Sequence, residues 1–477
     1  MAKVVVIGAG IAGLATAIAC ARGGHQVIVL ERDLPQAPED PLDAPHWERR
    51  GIPHFMQPHA FLARGVKELR IKAPDIYTAL LDVGAYKLDL RAKMPPGDEH
   101  PDDEDLIFLG CRRPVLEWVL RQRASEEANI QLRSGEFVQG LDWDRAGSEV
   151  PRAVGVLTQA GQIEGDLIVD ASGRSSVLPQ WIVDGGGRAP SEVYSDCGLV
   201  YYSRYYRFLP GRVQREGPWL LGPRAELGYL EVGTFWGDND TFSIVQQILP
   251  EDRELRSLRH SEAFTASLKA MPVPARLMAE GVSEPITDVL PMGQLRNTLR
   301  SFMVDDRPVA RGVIAIGDAL CHTNPRYAWG LSLSLVHAFT VARLLDAHPH
   351  DAEALTSAFY EEVSDEVDEA FRVASETDQE RKRYWGGEAI DYRTPAGSLP
   401  LFLLWAFPMA GMLDREIFRA AVKRLMFLEM PYVIESDEAL MQRGADLVAR
   451  FFAENPPAPN PTRDELLEII RAAMPRA

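Results

Sequence analysis

The sequence predicts an α/β fold in which a parallel-sheet domain is interleaved with a second, β-sheet domain and followed by a helical C-terminal region. Three observations predict it. The first 31 residues alternate strand, glycine-rich turn, helix and strand. A second apolar strand, Val313 to Ile316, runs straight into Gly317-Asp318-Ala319. From residue 331 onward the pattern is helical, with acidic amphipathic stretches around 351–383 and 435–453.

Each element has its reason. Val4 to Ile7 is a continuous β-branched run, as in a parallel strand covered on both faces. Ile11 to Arg22 is rich in alanine and predicts a helix, stopped by Gly23 and Gly24. Gln26 to Leu30 is a second strand ending at Glu31. Residues 33–58 carry Pro, Asp and Glu and predict a long surface loop, with a helix from His59 to about Leu69. The segment MPPGDEHPDDED at 94–105 predicts a polar, proline-broken linker or hairpin region. A strand at Leu106–Leu109 and a helix from Pro114 to Ala128 follow, with proline in the first turn. Residues 135–170 predict a β-meander returning to an apolar strand at Asp166–Val169. Between 190 and 300 the pattern is mostly β, as in Tyr201–Phe208 and Leu227–Trp236. The apolar run Leu399–Leu413 contains Pro400 and Pro408 and is too short to span a bilayer. It reads as a core helix, a cap on an apolar tunnel, or a segment dipping into a membrane interface.

The chemistry begins at Gly8-Ala9-Gly10-Ile11-Ala12-Gly13, a GxGxxG motif set between a strand and a helix. Gly8 permits the tight turn, Gly10 lets the backbone approach a pyrophosphate, and Gly13 lets helix and strand pack closely. The helix N-terminus adds free N–H groups and partial positive charge. Glu31, 18 residues after Gly13, can accept from ribose hydroxyls. This is a Rossmann-like dinucleotide site, and the motif by itself does not separate FAD from NAD. Asp318, at the end of the strand Val313–Ile316, is placed to bind a ribose or ribityl hydroxyl. The helix that opens near Gly330 would stabilise negative charge on a reduced flavin ring.

Together with Gly8–Gly13, Gly317-Asp318-Ala319 and the segment Asp166-Leu-Ile-Val-Asp-Ala-Ser-Gly-Arg174 resemble the FAD-dependent monooxygenases of the p-hydroxybenzoate hydroxylase fold. Three further stretches resemble the flavin epoxidase and tailoring oxygenase branch of polyketide biosynthesis: Arg50-Gly-Ile-Pro-His-Phe-Met-Gln-Pro-His59, Cys111-Arg-Arg-Pro-Val-Leu-Glu-Trp118 and Asp318-Ala-Leu-Cys-His-Thr-Asn-Pro-Arg-Tyr327. The resemblance runs through residues 1–345 and leaves the last 130 or so without a recognisable motif. It implies FAD-binding segments at 1–75, 105–180 and 301–345, a substrate-domain insertion at 76–104, a β-sheet substrate domain at 181–300 and a helical region at 346–477.

The resemblance also implies residue roles. Gly8, Gly10, Ile11, Ala12 and Gly13 would cradle the pyrophosphate, and Glu31 and Arg32 would hold the adenosine end. Arg50, Asp170 and Gly173 would join the cofactor site, and Arg113, rather than Arg112, would face the phosphates or ribityl chain. Asp318 would hold the ribityl or pyrophosphate region. His322, Pro325, Ala328 and Gly330 would surround the ring. Two departures stand out. Ser172-Gly173 replaces the Asp-Gly of self-reducing relatives, so NAD(P)H would act directly or through a separate flavin reductase. Ala328, beside Trp329, stands where relatives commonly carry glycine. Tyr202, Arg204, Trp236 and Trp329 are substrate-side candidates, weighed against a plain aromatic sheet core. His54 and His59 are acid/base candidates near the flavin, with loop-ordering as the plainer role.

The resulting expectation is oxygen insertion, as epoxidation or hydroxylation, into a small apolar secondary metabolite through a flavin C4a-hydroperoxide. Rivals are a flavin-dependent reductase or dehydrogenase of prenyl-type substrates, a halogenase, and an FAD-binding protein without activity. The halogenase signature GWxWxIP is missing from the sequence. Basic residues number 51 and acidic 69, a net charge of −18 that argues against nucleic acid or an anionic membrane surface as partner. With the longest apolar run so short, no stable membrane insertion is expected. Four scattered cysteines argue against disulfide scaffolds and zinc sites and fit a cytoplasmic protein; no metal is expected.

Overall fold

A computed structural model of the chain describes residues 1–34, 36–144, 150–215, 222–456 and 459–474. Strand β1 (Lys3–Ile7), helix α1 (Ile11–Arg22) and strand β2 (Gln26–Glu31) form the opening unit. β1 is the middle strand of a five-stranded parallel sheet in the order 313–315, 167–170, 3–7, 26–31, 130–134. Val4 lies in register with Val27 on one side and Leu167 on the other. Val4, Val5 and Val6 are completely buried, which is why this strand is apolar on both faces. The sheet thus draws on stretches separated by more than a hundred residues.

The glycines of the first turn serve different ends. Gly8 has φ +102°, and a methyl there would sit 2.7 Å from the carbonyl oxygen of Ala171. A methyl on Gly13 would lie 1.9 Å from the carbonyl oxygen of Gly8, so helix and strand meet backbone to backbone. Behind α1 packs the long apolar helix Trp329–Ala347. By length and composition it is the one helix among the described residues that meets the requirement for crossing a membrane, yet most of it is buried inside the protein.

The second sheet has the order 224–226, 230–236, 241–248, 200–208, 283–285, with 290–292 also pairing to 200–208. One face packs on the helix Ser261–Lys269 and the C-terminal helix Arg463–Ala473, through Leu230, Phe242, Phe264, Leu466 and Ile470. Its other face looks towards the parallel-sheet domain. The C-terminal region is helical, led by the 34-residue helix Ala352–Trp385.

Several expectations need correction. The helix expected from His59 begins at Ala63, because the preceding residues are extended and Leu109 N donates to Phe61 O. The 33–58 loop contains a 3-10 turn at Pro41–His46, and Trp47 behind it is buried. The 94–105 segment follows the hairpin alternative, joining the antiparallel strands 86–89 and 107–110. It is no free linker: Asp103 is 3 % exposed and bonded to Arg419 at 2.6 and 2.8 Å, and Asp102 pairs with Lys423. Its acidic residues therefore anchor the C-terminal helices. The run at 399–413 follows the core reading among its three: Phe402, Phe407 and Ala410 have no exposed surface, and a π-helical turn at Phe402–Ala406 carries the chain between its two prolines.

Candidate functional site

A cleft of about 370 Å³ runs from the C-terminal ends of the parallel strands towards the second sheet. Gly8, Gly10, Ile11, Ala12, Glu31, Arg32, Arg113, Gly173 and Asp318 line it, as do His322, Pro325, Ala328, Trp329 and Gly330. Six expected residues lie elsewhere. Gly13 and Asp170 stand behind the wall, where Asp170 accepts from Ser172 N at 3.0 Å and from Ser176 Oγ and so shapes the turn carrying Gly173. Arg50 is 82 % exposed and pairs with Glu48. Tyr202, Arg204 and Trp236 point away from the cleft.

The last three fail for one reason, the two-residue period of a strand. Tyr202 and Trp236 are buried in the apolar core beneath the second sheet. Arg204 donates to Thr287 O at 2.9 Å and to Thr265 Oγ1 at 3.3 Å. The alternate face carries the residues that reach the site: Tyr201 donates to Asn324 Oδ1, and Ser203 donates to Gln57 Oε1 at 2.9 Å. Trp329 borders the cleft with its indole turned inward, stacked on Tyr327 at 4.9 Å and donating to Leu425 O at 3.1 Å.

At the dinucleotide end, Gly10 is the N-cap of α1 and no side chain among the described residues caps the helix, so its first N–H groups remain open. Glu31 Oε2 accepts from Ala9 N at 3.1 Å and from Arg49 Nη2 at 2.9 Å. Arg49, its side chain 1 % exposed, also meets Glu117 Oε1 at 2.8 Å. Burial works against its charge, but Glu117, Glu31 and Asp33 outweigh burial and hold its pKa above the ordinary value. Among the described residues, its Nε and Nη1 nevertheless donate no hydrogen bond, nor does Arg113 Nε. Sequence reasoning named Arg50 and did not name Arg49, and no periodicity in the loop distinguishes the two neighbours.

Arg113 is held by two histidines. His54 Nε2 lies 2.8 Å and His59 Nε2 3.3 Å from its Nη1. His59 Nδ1 is 2.8 Å from Gln57 O, a carbonyl that can only accept, so Nδ1 carries the proton and Nε2 offers its lone pair. Burial, reinforced by the Arg113 charge, pushes His59 down to about 3 and His54 well below its ordinary range. Both rings are neutral at physiological pH and act as acceptors that aim the guanidinium. Burial likewise lowers Arg113 and raises Glu117.

In the middle of the cleft, a methyl on Gly330 would lie 3.4 Å from Asp318 Oδ1, so this carboxylate sits against the start of the helix Trp329–Ala347. Gly317, at φ +55°, donates its N–H to His337 Nδ1 at 3.0 Å. His337 is fully buried and pushed down to about 3 by burial, a neutral acceptor that sequence reasoning did not single out. His322 Nδ1 donates to Arg296 O at 2.9 Å, which fixes its tautomer. Met292, Leu295 and Leu331 give the far end an apolar wall, while Ile52 stands beside Gly10 at the dinucleotide end.

The cleft fits FAD on its own geometry. A methyl on Gly10 would meet only Ile52 Cδ1, at 4.0 Å, so the space before the helix N-terminus is open. The undonated nitrogens of Arg49 and Arg113 suit the two phosphates, Glu31 suits a ribose, and Asp318 suits a polyol chain.

Comparisons with known proteins agree. The family model for FAD dependent oxidoreductases matches residues 3–38. Protein Rv3254 of Mycobacterium tuberculosis is 29 % identical over 372 residues, 72 % of this chain and 73 % of the relative. Kynurenine 3-monooxygenase of Salinispora tropica is 26 % identical over 376 residues, 74 % and 75 % of the two chains. Glycine oxidase of Pseudomonas aeruginosa is 30 % identical over 309 residues, 54 % of this chain and 81 % of the relative. Among solved structures, PqsL, a probable FAD-dependent monooxygenase from Pseudomonas aeruginosa, superposes with a TM-score of 0.57 at 14 % identity, covering 81 % of this chain and 98 % of its own.

Proposed function

We propose that this chain, which belongs to the FAD-dependent oxidoreductases, is a flavin monooxygenase that inserts one oxygen atom of O2 into a small apolar substrate. The observation that carries this reading is the division of the cleft. One end offers helix N–H groups, Glu31, Arg49 and Arg113 to a dinucleotide, and the other offers Met292 and Leu295. An apolar, water-poor end is what transfer of oxygen to a carbon skeleton requires. The similarity to kynurenine 3-monooxygenase supports the same reading.

Bound FAD would supply the redox chemistry, activating dioxygen once it has received two electrons. The protein supplies the rest. Arg49 and Arg113 balance the phosphates, while neutral His54 and His59 keep Arg113 aimed without adding charge. Asp318 orients the polyol chain. The N-terminus of the helix Trp329–Ala347 favours negative charge at the ring. His322, its Nδ1 committed to a carbonyl, presents Nε2 for proton exchange at the far end. Hydroxylation and epoxidation are both compatible with this wall, and a secondary metabolite suits it. Ser172-Gly173 favours electron supply through a separate flavin reductase over direct use of NAD(P)H.

The similarity to glycine oxidase favours a second reading, dehydrogenation of an amine with O2 as electron acceptor only. Reconstitution with FAD, followed by reduction with NAD(P)H alone and with NAD(P)H plus a flavin reductase, tests the cofactor and the electron route. Turnover of apolar aromatic and alkene substrates under ¹⁸O2 then separates the two readings. One heavy oxygen in the product is expected. A product without new oxygen, with stoichiometric hydrogen peroxide, establishes the oxidase reading, and a protein that takes up no FAD overturns both.

A further inference from the structure

The loop that lines the far end of the cleft, residues 323–330, is not held by the FAD-binding segments alone. It is held from the helix Ala352–Trp385, in the region without recognisable motifs. Asp378 on that helix is 1 % exposed and accepts four hydrogen bonds. Its Oδ1 accepts from Asn324 Nδ2 at 2.9 Å, from the Tyr327 hydroxyl at 2.8 Å and from Arg381 Nη1 at 2.8 Å. Its Oδ2 accepts from Asn297 Nδ2 at 2.9 Å. Asn297 closes the circuit, because its Oδ1 accepts from Asn324 N at 2.6 Å. Tyr201 of the second sheet donates to Asn324 Oδ1, and Arg381 Nη2 donates to Cys197 O at 2.7 Å.

Two loop residues are thereby tied to one carboxylate, and they bracket the residues facing the cleft. Asn324 precedes Pro325, and Tyr327 precedes Ala328, which is in the left-handed conformation at φ +57°. That conformation costs a residue with a side chain about 1 kcal/mol or more and persists only where its neighbours impose it. A second carboxylate pulls in the same sense: Glu231 of the second sheet accepts from Arg326 Nε at 2.9 Å and from Arg326 Nη2 at 2.6 Å. The side chains of Arg326 and Tyr327 lead away from the cleft into buried polar contacts. Thr323, Asn324, Pro325, Ala328, Trp329 and Gly330 are the residues of the turn that line the cleft.

We propose that Asp378 is a positioning residue for the flavin ring: by holding Asn324 and Tyr327 it fixes the 323–330 turn against which the ring would lie. The inference rests on the flavin reading above for its ligand, while the placement of the turn stands on the contacts themselves. It gives the C-terminal helical region a part in the site, since the ring environment is set from a helix that contributes no wall to the cleft.

Asp378→Asn is the diagnostic change. Oδ1 accepts three bonds and Oδ2 one, so the amide nitrogen takes the Oδ2 side and meets Asn297 Nδ2 donor to donor. Asn297 is not free to flip, because its Oδ1 serves Asn324 N. Tyr327→Phe is the gentler partner, removing one arm while keeping the stack on Trp329. Arg372→Gln is the control: Arg372 lies on the same helix and bonds Glu369, Glu376 and Glu435 away from the loop.

Two readouts are needed. Hydrogen exchange of the cofactor-free protein reports the turn itself, and titration with FAD reports the dissociation constant and the shape of the bound flavin's long-wavelength absorption band. For Asp378→Asn we expect exchange in 323–330 to accelerate at least tenfold, the dissociation constant for FAD to rise several-fold and the band to shift. Tyr327→Phe should move each readout in the same direction by less, and Arg372→Gln should move none. If Asp378→Asn does not fold, Tyr327→Phe decides. Folded variants with wild-type exchange and wild-type flavin spectra overturn the proposal. Wild-type protein that binds no FAD overturns the flavin reading instead, and faster exchange then still supports the hold of Asp378 on the turn.

Discussion

Gly10→Ala separates the cofactor site from the fold. Gly10 has φ −80° and ψ −174°, an ordinary extended conformation, and its added methyl would find only Ile52 Cδ1 at 4.0 Å. Losing glycine at a helix N-cap costs about 1 kcal/mol or less, roughly 2 °C in a chain of this size. The methyl nevertheless stands before the open N–H groups of α1, where the pyrophosphate must approach. A charge-assisted hydrogen bond lost there is worth about 1.5–3 kcal/mol, so the FAD dissociation constant should rise about ten- to a hundredfold. Gly13→Ala supplies the contrast, since its methyl would sit 1.9 Å from a carbonyl oxygen and should prevent stable folding. Calorimetric titration with FAD, beside thermal melts of the cofactor-free proteins, reads both effects. Gly10→Ala binding FAD within twofold of wild type refutes the placement of the pyrophosphate.

Arg49→Met should abolish measurable FAD binding and destabilise the protein by about 3–5 kcal/mol, because Glu31 and Glu117 are left buried without their cation; Arg50→Ala should change neither property in the same titrations and melts. Trp236→Ala should cost about 3–5 kcal/mol in chemical denaturation, while Trp236→Phe should leave the substrate KM untouched, as a residue of the sheet core rather than of the cleft. Burial and the neighbouring Glu231 push Glu226 up to about 8, above its ordinary 4.5. The folded protein therefore holds this proton more tightly than the unfolded chain does, and the contribution is complete below pH 4.5 and lost as pH rises to about 8. Relative to wild type, Glu226→Gln should gain stability across that interval, with a slope of at most about 1.4 kcal/mol per pH unit; denaturant melts at pH 5, 7 and 9 measure it.

The parallel-sheet half of the fold was legible because its signals are local. A β-branched strand, a glycine turn and an alanine-rich helix lie within about thirty consecutive residues, and the backbone spaces that demand Gly8 and Gly13 are made by nearest neighbours. Asp318 and Gly330 were legible for the same reason. The substrate-side residues were not, because a strand's alternation says which side chains share a face without saying what that face meets. Tyr201 and Ser203 could be told from Tyr202 and Arg204 only once Asn324 and Gln57 stood opposite them. Arg49 was missed because the loop carrying it has no periodicity. Asp378 and His337 were missed because a buried carboxylate and a buried imidazole in helices look like surface and core until their partners, 54 and 20 residues away, are in place.

The order of strands in the parallel sheet also sets a timetable for making the protein. The strand at Leu167–Asp170 is flanked by β1, already synthesised, and by Val313–Ala315, which emerges roughly 140 residues later. At about 5–20 residues per second, the ribosome leaves that edge unpaired for ~7–30 s. During this interval an apolar strand with open backbone groups is available to any other strand that passes, and the intervening second sheet is itself still being assembled. The nascent chain is most exposed to misassembly in this interval, and yield during expression should respond to translation speed between residues 170 and 313 more than to speed anywhere in the helical C-terminal region.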